Sequence, residues 1–183
     1  RVIFKGVKKV NKKRLCYYYR DLNKKYSLYA FLLAFLIASI LIVPVMVYDK
    51  GYFLYYGDFN VQQIPFYRLA HDSILSGNVK WSSLTDLGAN FVGSYSFYLL
   101  GSPFFWITML LPSNLVAYSM GPLLILKLSL ASLTAYIYLK RYLSNKKLAV
   151  MGGILYAFSG FSIYNIFFFH FHLFYFSFVQ LEL

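Results

Sequence analysis

Uncharged apolar runs alternate with short polar and basic interruptions along the chain, and the length of each run indicates its element. Residues 26–48, YSLYAFLLAFLIASILIVPVMVY, contain no charge. About 20 apolar residues suffice to cross a hydrocarbon core, so a first transmembrane helix is predicted there. Tyr26, Tyr29 and Tyr48 stand near its ends, where amphipathic rings favour the lipid–water interface. Pro44 is expected to bend its last turn. Residues 115–139 are long enough for a second span and residues 148–168 for a third. In the third, Gly153, Ala157 and Gly160 recur at helical spacing and form a small face that lets another helix pack closely. Residues 103–112 are apolar but too few to cross and end at Pro112, so 99–112 reads as a short re-entrant or interfacial helix. Ser102-Pro103 has the form of a cap followed by proline in the first turn. Ser113 or Asn114 is the expected cap of the helix that follows.

The stretch 49–102 is too long for a simple connector. Asn60 with Gln63 resembles a helix-opening box. Val61, Ile64, Leu69, Ile74 and Leu75 then give one apolar stripe on a helix that ends near Gly77, with Pro65 tightening its first turns. Such a helix is expected to lie in the interface plane. Trp81, Gly88, Asn90, Gly93 and Tyr95 follow in a turn-rich stretch. No internal repeat or low-complexity linker is evident.

Composition fixes the class. Sixty per cent of the 183 residues are apolar, 22% aromatic and 13% charged. So much apolar surface is not hidden inside a soluble domain of this size. The expected fold is an all-α integral membrane protein with about three transmembrane helices and a long outer loop containing interfacial helices. The chain opens at Arg1 rather than Met and stops in an apolar stretch, so it is expected to be an N-terminal fragment of a polytopic bundle. Residues 1–25 form a basic segment and residues 26–183 the N-terminal part of a single membrane domain.

Charge orients it. Of a net charge of +12, residues 1–25 carry ten basic side chains against one acid, Asp21. Beside a span, such a tract reads as a cytoplasmic anchor touching anionic membrane lipid, not as a nucleic-acid site. Lys140, Arg141, Lys146 and Lys147 mark a second cytoplasmic turn by the same rule. One span therefore separates them from an outer loop. Cys16 is the only cysteine and can form no internal disulfide. The tract is no signal peptide, because its apolar core is too long and no cleavage site follows.

Four places carry candidate chemistry. Asp58 either caps the helix that starts just after it or acts as a base, since the edge of a low-dielectric region raises a carboxylate's basicity. Gln62 lies one turn on and can orient a polar ligand beside it. Lys127 falls in the middle of the second span, where a charge is costly and marks either a site or a structural ion pair. His170 and His172 arrive at the outer surface. They point about 200° apart on a helix, and they make a weak metal signal without an acidic partner. Outer-loop aromatics such as Phe66, Tyr67, Trp81 and Tyr95 are of the kind that stack on sugar faces, although none is assigned. No phosphate-binding glycine loop, zinc-protease helix or Ser-His-Asp arrangement is visible.

Asp58-Phe59-Asn60-Val61-Gln62-Gln63-Ile64-Pro65-Phe66 resembles the D-x-x-x-Q-x-x-P-F stretch of the bacterial YfhO membrane proteins. The match continues through the Trp81-Ser82 pair, Leu87-Gly88-Ala89-Asn90-Phe91, Tyr98-Leu99-Leu100 and Ser102-Pro103-Phe104. The Lys127 span and Tyr156-Ala157-Phe158-Ser159-Gly160-Phe161 are also similar, so the resemblance covers nearly all of the chain after residue 26. It implies a helical bundle of GT-C type in the bacterial cytoplasmic membrane, multi-pass and with a cytoplasmic N-terminus. The implied activity is glycosyl transfer from an undecaprenyl-phosphate-linked sugar to an envelope polymer such as teichoic acid, on the outer face. Asp58 would be the general base. Gln62, Gln63, Arg68, Asn90, Lys127, His170 and His172 would contact substrate. No cofactor is implied, and a divalent metal finds too few ligands here to be argued. A transporter or flippase for lipid-linked sugars, or a non-catalytic envelope scaffold, are the alternatives.

Overall fold

The computed structural model describes residues 12–54, 57, 59–85 and 87–168, with side chains for these except residues 12–23, 97, 98 and 165–168. Helix α1 runs Lys12–Tyr48. Its buried positions Ala30, Ala34, Ala38 and Ile42 recur every four residues and form one stripe of mostly small side chains. Leu32, Leu33, Leu36 and Ile40 lie outside that stripe and are exposed, as a surface in contact with lipid requires.

The small stripe lets a second backbone approach. Helix α5, Ser113–Leu139, packs against α1, and the Ser132 hydroxyl donates to the Ala30 carbonyl at 3.1 Å. At the other end Gly121 lies so close to Met46 that a β-carbon would collide with its side chain. Ala30 beside Ser132 and Met46 beside Gly121 make the two helices antiparallel. Helix α1 stops in a left-handed turn: Lys50 has φ 55° and Gly51 φ 98°. There Gly51 N–H donates to the Met46 carbonyl at 2.7 Å and Lys50 N–H to Val47 at 3.4 Å. These are the two bonds that close a Schellman end.

Helix α6, Lys146–Ala157, returns along α5. A β-carbon on Gly153 would lie 2.6 Å from the Ser132 carbonyl oxygen, and one on Gly152 2.6 Å from Leu139 Cδ1. The start of α6, the end of α5 and the start of the apolar part of α1 therefore share one end of the bundle. Lys24, Lys25, Lys140, Arg141, Lys146 and Lys147 gather there. Lys146 Nζ closes α5 by donating to the carbonyls of Lys140 at 2.9 Å and Leu143 at 3.3 Å.

Three helical stretches are long and apolar enough to cross a membrane: Lys24–Tyr48, Ser113–Leu139 and Lys146–Tyr164. The third is not continuous. The uninterrupted helix read over 148–168 is two helices, α6 and α7 (Gly160–Phe168), broken at Phe158-Ser159. Ser162 N–H donates to Ser159 Oγ at 3.2 Å, and the Ser162 hydroxyl donates to the Tyr156 carbonyl at 3.1 Å. Serine hydroxyls here satisfy backbone groups that a continuous helix would have paired. Gly160, read with Gly153 and Ala157 as a packing face, has no neighbour that an added β-carbon would meet within 4 Å.

Between α1 and α5 the chain forms a cap of short elements. A π-helical turn, Phe59–Gln63, feeds helix α2, Ile64–Leu75. Strands β1 (Trp81–Ser82) and β2 (Ala89–Asn90) pair antiparallel. Helix α3 (Phe91–Tyr95), a second π-helical turn (Ser96–Leu100) and α4 (Pro103–Thr108) follow. Phe59, Tyr67, Phe91, Tyr95 and Phe105 from this cap share one core with Val116, Met120 and Leu124 of α5.

Several local expectations are corrected. No side chain caps the start of α2 among the described residues, because the wide turn runs directly into it with Pro65 in its first turn. Its buried side is set by Tyr67, Ala70 and His71, while Val61 and Leu75, read as part of the apolar stripe, are 73% and 62% exposed. Pro112, not Ser113 or Asn114, occupies the cap position of α5, and the Ser113 side chain instead hydrogen-bonds Asp72. Ser102 does precede Pro103 as the cap residue of α4, but makes no side-chain capping bond.

Candidate functional site

Two buried stripes face each other between the cap and α5. On the cap side they are Gln63, Tyr67, Ala70 and His71, spaced at helical intervals along the π-turn and α2. On α5 they are Val116, Met120, Leu124 and Lys127. At about 100° per residue these four α5 positions fall on one side of the helix. The seam begins at the end of the bundle opposite the basic cluster and runs inward.

Polar groups hold the mouth of the seam together. His71 is fully buried, and its Nε2–H donates to the Leu111 carbonyl at 3.0 Å. Its Nδ1 lies 3.3 Å from Asp72 Oδ1. Partial burial pushes the Asp72 carboxyl up, but hydrogen bonds from Ser113 and His71 and the charges of His71 and Arg68 outweigh it and hold the group below the usual carboxylate range. One turn deeper, the Tyr67 ring meets Phe105 edge-on at 5.4 Å. Burial drives its phenol far above the ordinary value.

Each stripe also buries a polar side chain farther from the mouth. Gln63 is 6% exposed, and its Oε1 is buried with no hydrogen-bond partner among the described residues. Lys127 is 2% exposed and stands midway along α5. At about 1.5 Å rise per residue it sits roughly 20 Å from either helix end, near the centre of a bilayer. The hydroxyls of Ser129 and Thr134 are satisfied within α5, by the carbonyls of Ile125 at 2.7 Å and Ala131 at 3.0 Å.

The residues singled out from sequence divide three ways. Asp58, His170 and His172 lie outside the described residues. Gln63 and Lys127 sit on the two stripes of the seam, with Gln62 half-buried beside Gln63. Arg68 and Asn90 are exposed. Asn90 plays a structural part, because its Oδ1 accepts from Gly93 N–H at 2.8 Å and caps α3. Of the outer-loop aromatics, Phe66 packs edge-on against Tyr95 at 5.4 Å, and Tyr67 and Tyr95 are core residues, so only Trp81 presents an open ring. His71 escaped notice in the sequence. Its signal is its spacing, four residues after Tyr67 and eight after Gln63, on the face that the helix buries. Among the described residues no three His, Cys, Asp or Glu side chains come together to hold a metal ion.

An apolar three-helix packing unit, a broken third span and a polar seam entering from one end define a polytopic helical membrane protein. The chain belongs to the bacterial membrane protein YfhO family, whose profile matches residues 30–176. No curated protein and no solved structure matches it. The matched stretch contains both stripes of the seam and the break in the third span.

Proposed function

We propose that this chain forms part of a membrane glycosyltransferase of GT-C type. It would move a sugar from an undecaprenyl-phosphate-linked donor to an envelope polymer such as teichoic acid, on the outer face of the bacterial cytoplasmic membrane. The supporting observation is the burial of two polar side chains, Gln63 on the turn that follows Asp58 in sequence and Lys127 midway along the second span. A polar site at membrane depth suits a substrate whose reacting group is tethered to a lipid. The basic cluster at the opposite end of the bundle supports a cytoplasmic N-terminus.

In this reading Asp58 takes the proton of an acceptor hydroxyl. The hydroxyl oxygen attacks the anomeric carbon, the bond from that carbon to the phosphate oxygen breaks, and polyprenyl phosphate leaves with the electron pair. A cation near that phosphate stabilises the charge as it develops; Arg68, Lys127 and His170 are the candidates. Gln62, Gln63, Asn90 and His172 complete the set of proposed substrate contacts. The reaction balances with no cofactor.

Asp58→Asn is expected to reduce transfer from a polyprenyl-phosphate hexose at least 100-fold while leaving the protein folded. Undiminished transfer in that variant would remove Asp58 from the chemistry. The broken third span favours one rival, a transporter or flippase for lipid-linked sugars, because interrupted helices line transport sites. That rival predicts that reconstituted protein moves the sugar lipid across vesicles without any acceptor, and that Asp58→Asn does not stop it.

A further inference from the structure

The basic end of the bundle carries charge that its own side chains leave unneutralised. Tyr26 of α1, Tyr136 of α5, Leu143 of the connecting turn and Ala149 and Val150 of α6 pack into one apolar cluster that ties the three helices together there. Ser132, Tyr136 and Lys140 recur every four residues along the face of α5 that meets α1, where the Ser132 hydroxyl reaches the Ala30 carbonyl. Lys140 therefore stands at the rim of the cluster, with its Nζ 5.6 Å from the centre of the Tyr136 ring. On α1, Lys25 Nζ lies 5.7 Å from the centre of the Tyr29 ring. Lys24, Arg141 and Lys147 are exposed around them. Lys146 differs, because its Nζ is taken up by the carbonyls of Lys140 and Leu143. Among the described residues none of Lys24, Lys25, Lys140, Arg141 and Lys147 is paired with an acid. The acids whose side chains are described, Asp49 and Asp72, belong to the opposite end. Apolar surface begins beside these cations: Leu28, Leu32 and Leu36 form an exposed stripe along α1, and Leu148 and Met151 are exposed on the first turns of α6.

We propose that this end is a binding surface for acidic phospholipid, with the phosphate among Lys24, Lys25, Lys140, Arg141 and Lys147 and the acyl chains along Leu28, Leu148 and Met151. Ammonium and guanidinium groups donate and are positive, and phosphate oxygens accept and are negative. A zwitterionic lipid offers the same phosphate, but its own cation cancels most of the attraction. Each Lys or Arg beside an anionic membrane surface strengthens binding about fivefold. The apolar stripe next to the cations selects a lipid over a free phosphate or a nucleic acid, neither of which has a chain to cover it. The N-terminal tract alone would attach one helix to the membrane. The cations of the α5–α6 turn put the lipid head group between helices, where it joins α1 to α5 and α6. This surface lies at the end of the bundle opposite the cap and does not depend on the glycosyl-transfer reading.

The test uses the full chain in nanodiscs holding equal amounts of phosphatidylcholine and phosphatidylglycerol with the same acyl chains, and retained lipid is read by native mass spectrometry. The wild type is expected to retain phosphatidylglycerol over phosphatidylcholine by about tenfold or more. The combined variant Lys140→Gln, Arg141→Gln and Lys147→Gln should lose most of that preference although its N-terminal tract is intact. Lys80→Gln, in the cap, should keep it. A second measurement uses the wild type alone: phosphatidylglycerol with a photoreactive group near the head-group end of an acyl chain should mark peptides from residues 24–29 or 138–151. No preference in the wild type, an unchanged preference in the combined variant, an equal loss in Lys80→Gln, or adducts confined to other segments would each overturn the proposal. Displacement of the lipid by excess glycerol phosphate or by a short DNA duplex would assign the cations to a soluble anion and overturn it as well.

Discussion

His71 and Asp72 show how side chains fasten the cap to the second span. The ring nitrogen bonded to Leu111 and the carboxylate bonded to Ser113 bridge α2 to the start of α5. Because the folded state holds the Asp72 carboxyl below its ordinary value, the bridge favours the deprotonated form. Its contribution is complete above the unfolded carboxylate value of about 4 and is lost as pH falls through the lower folded value. Asp72→Asn should therefore be less stable than the wild type at neutral pH, and thermal denaturation in detergent should show the gap closing in acid. Asn90 allows a sharper separation. If its work is capping, Asn90→Ala costs about 1 kcal/mol and Asn90→Asp costs little. Transfer activity should survive in Asn90→Asp, and its loss in a well-folded Asn90→Asp protein would return the side chain to the substrate. Gly88 has φ 104° and lies under the Trp81 indole, 2.9 Å from where a β-carbon would meet Cζ2. Gly88→Ala should destabilise the β1–β2 turn by about 1–3 kcal/mol, checked by thermal shift.

Helices α5 and α6 approach most closely at glycine, with Tyr136 and Leu139 packed against Val150 and Ile154 beside it. Gly153→Val would press methyl groups onto the Ser132 carbonyl, so the variant should lose about 1–3 kcal/mol or separate the helices, measured as a drop in Tm in detergent. Gly160→Ala, with open space at that position, should leave Tm nearly unchanged. The extent of α5 and the end of α1 were legible because uninterrupted apolar runs have few alternatives to a helix in lipid, whereas α1 starts at Lys12, ahead of the apolar run read from residue 26, because the basic stretch before it continues the same helix. The end of α2 at Gly77 was legible for a related local reason: Gly77 takes φ 74°, which glycine adopts without strain. The break at Phe158-Ser159 was not, since that stretch keeps the same apolar composition as a continuous span and the interruption rests on bonds among Tyr156, Ser159 and Ser162. The buried side of α2 was not legible either. Hydrophobicity alone selects Val61 and Leu75, whereas packing against α4 and α5 selects Tyr67 and His71.

The whole molecule is polarised from end to end. Six basic residues collect where α1, α5 and α6 share an end, and the cap with its seam occupies the other. With Cys16 replaced by serine, an impermeant maleimide applied to intact cells should label Leu84→Cys and spare Lys147→Cys. The reverse pattern would invert the orientation and move the proposed chemistry to the cytoplasm. Exposed Leu32, Leu36, Ile40 and Leu41 leave a broad apolar side on α1, consistent with residence among lipid chains.

Run length, charge asymmetry and turn residues were enough to establish a helical membrane protein, its first two spans and the family blocks, because each depends on local composition against a fixed bilayer thickness. Lys127 was also visible, since a lone charge in an apolar run stands out. Its burial on the same face of α5 as Val116 and Met120 was not visible. That burial depends on which faces of α1, α5 and α6 meet, and close approach at Gly121 and Gly153 sets those faces between residues far apart in the chain.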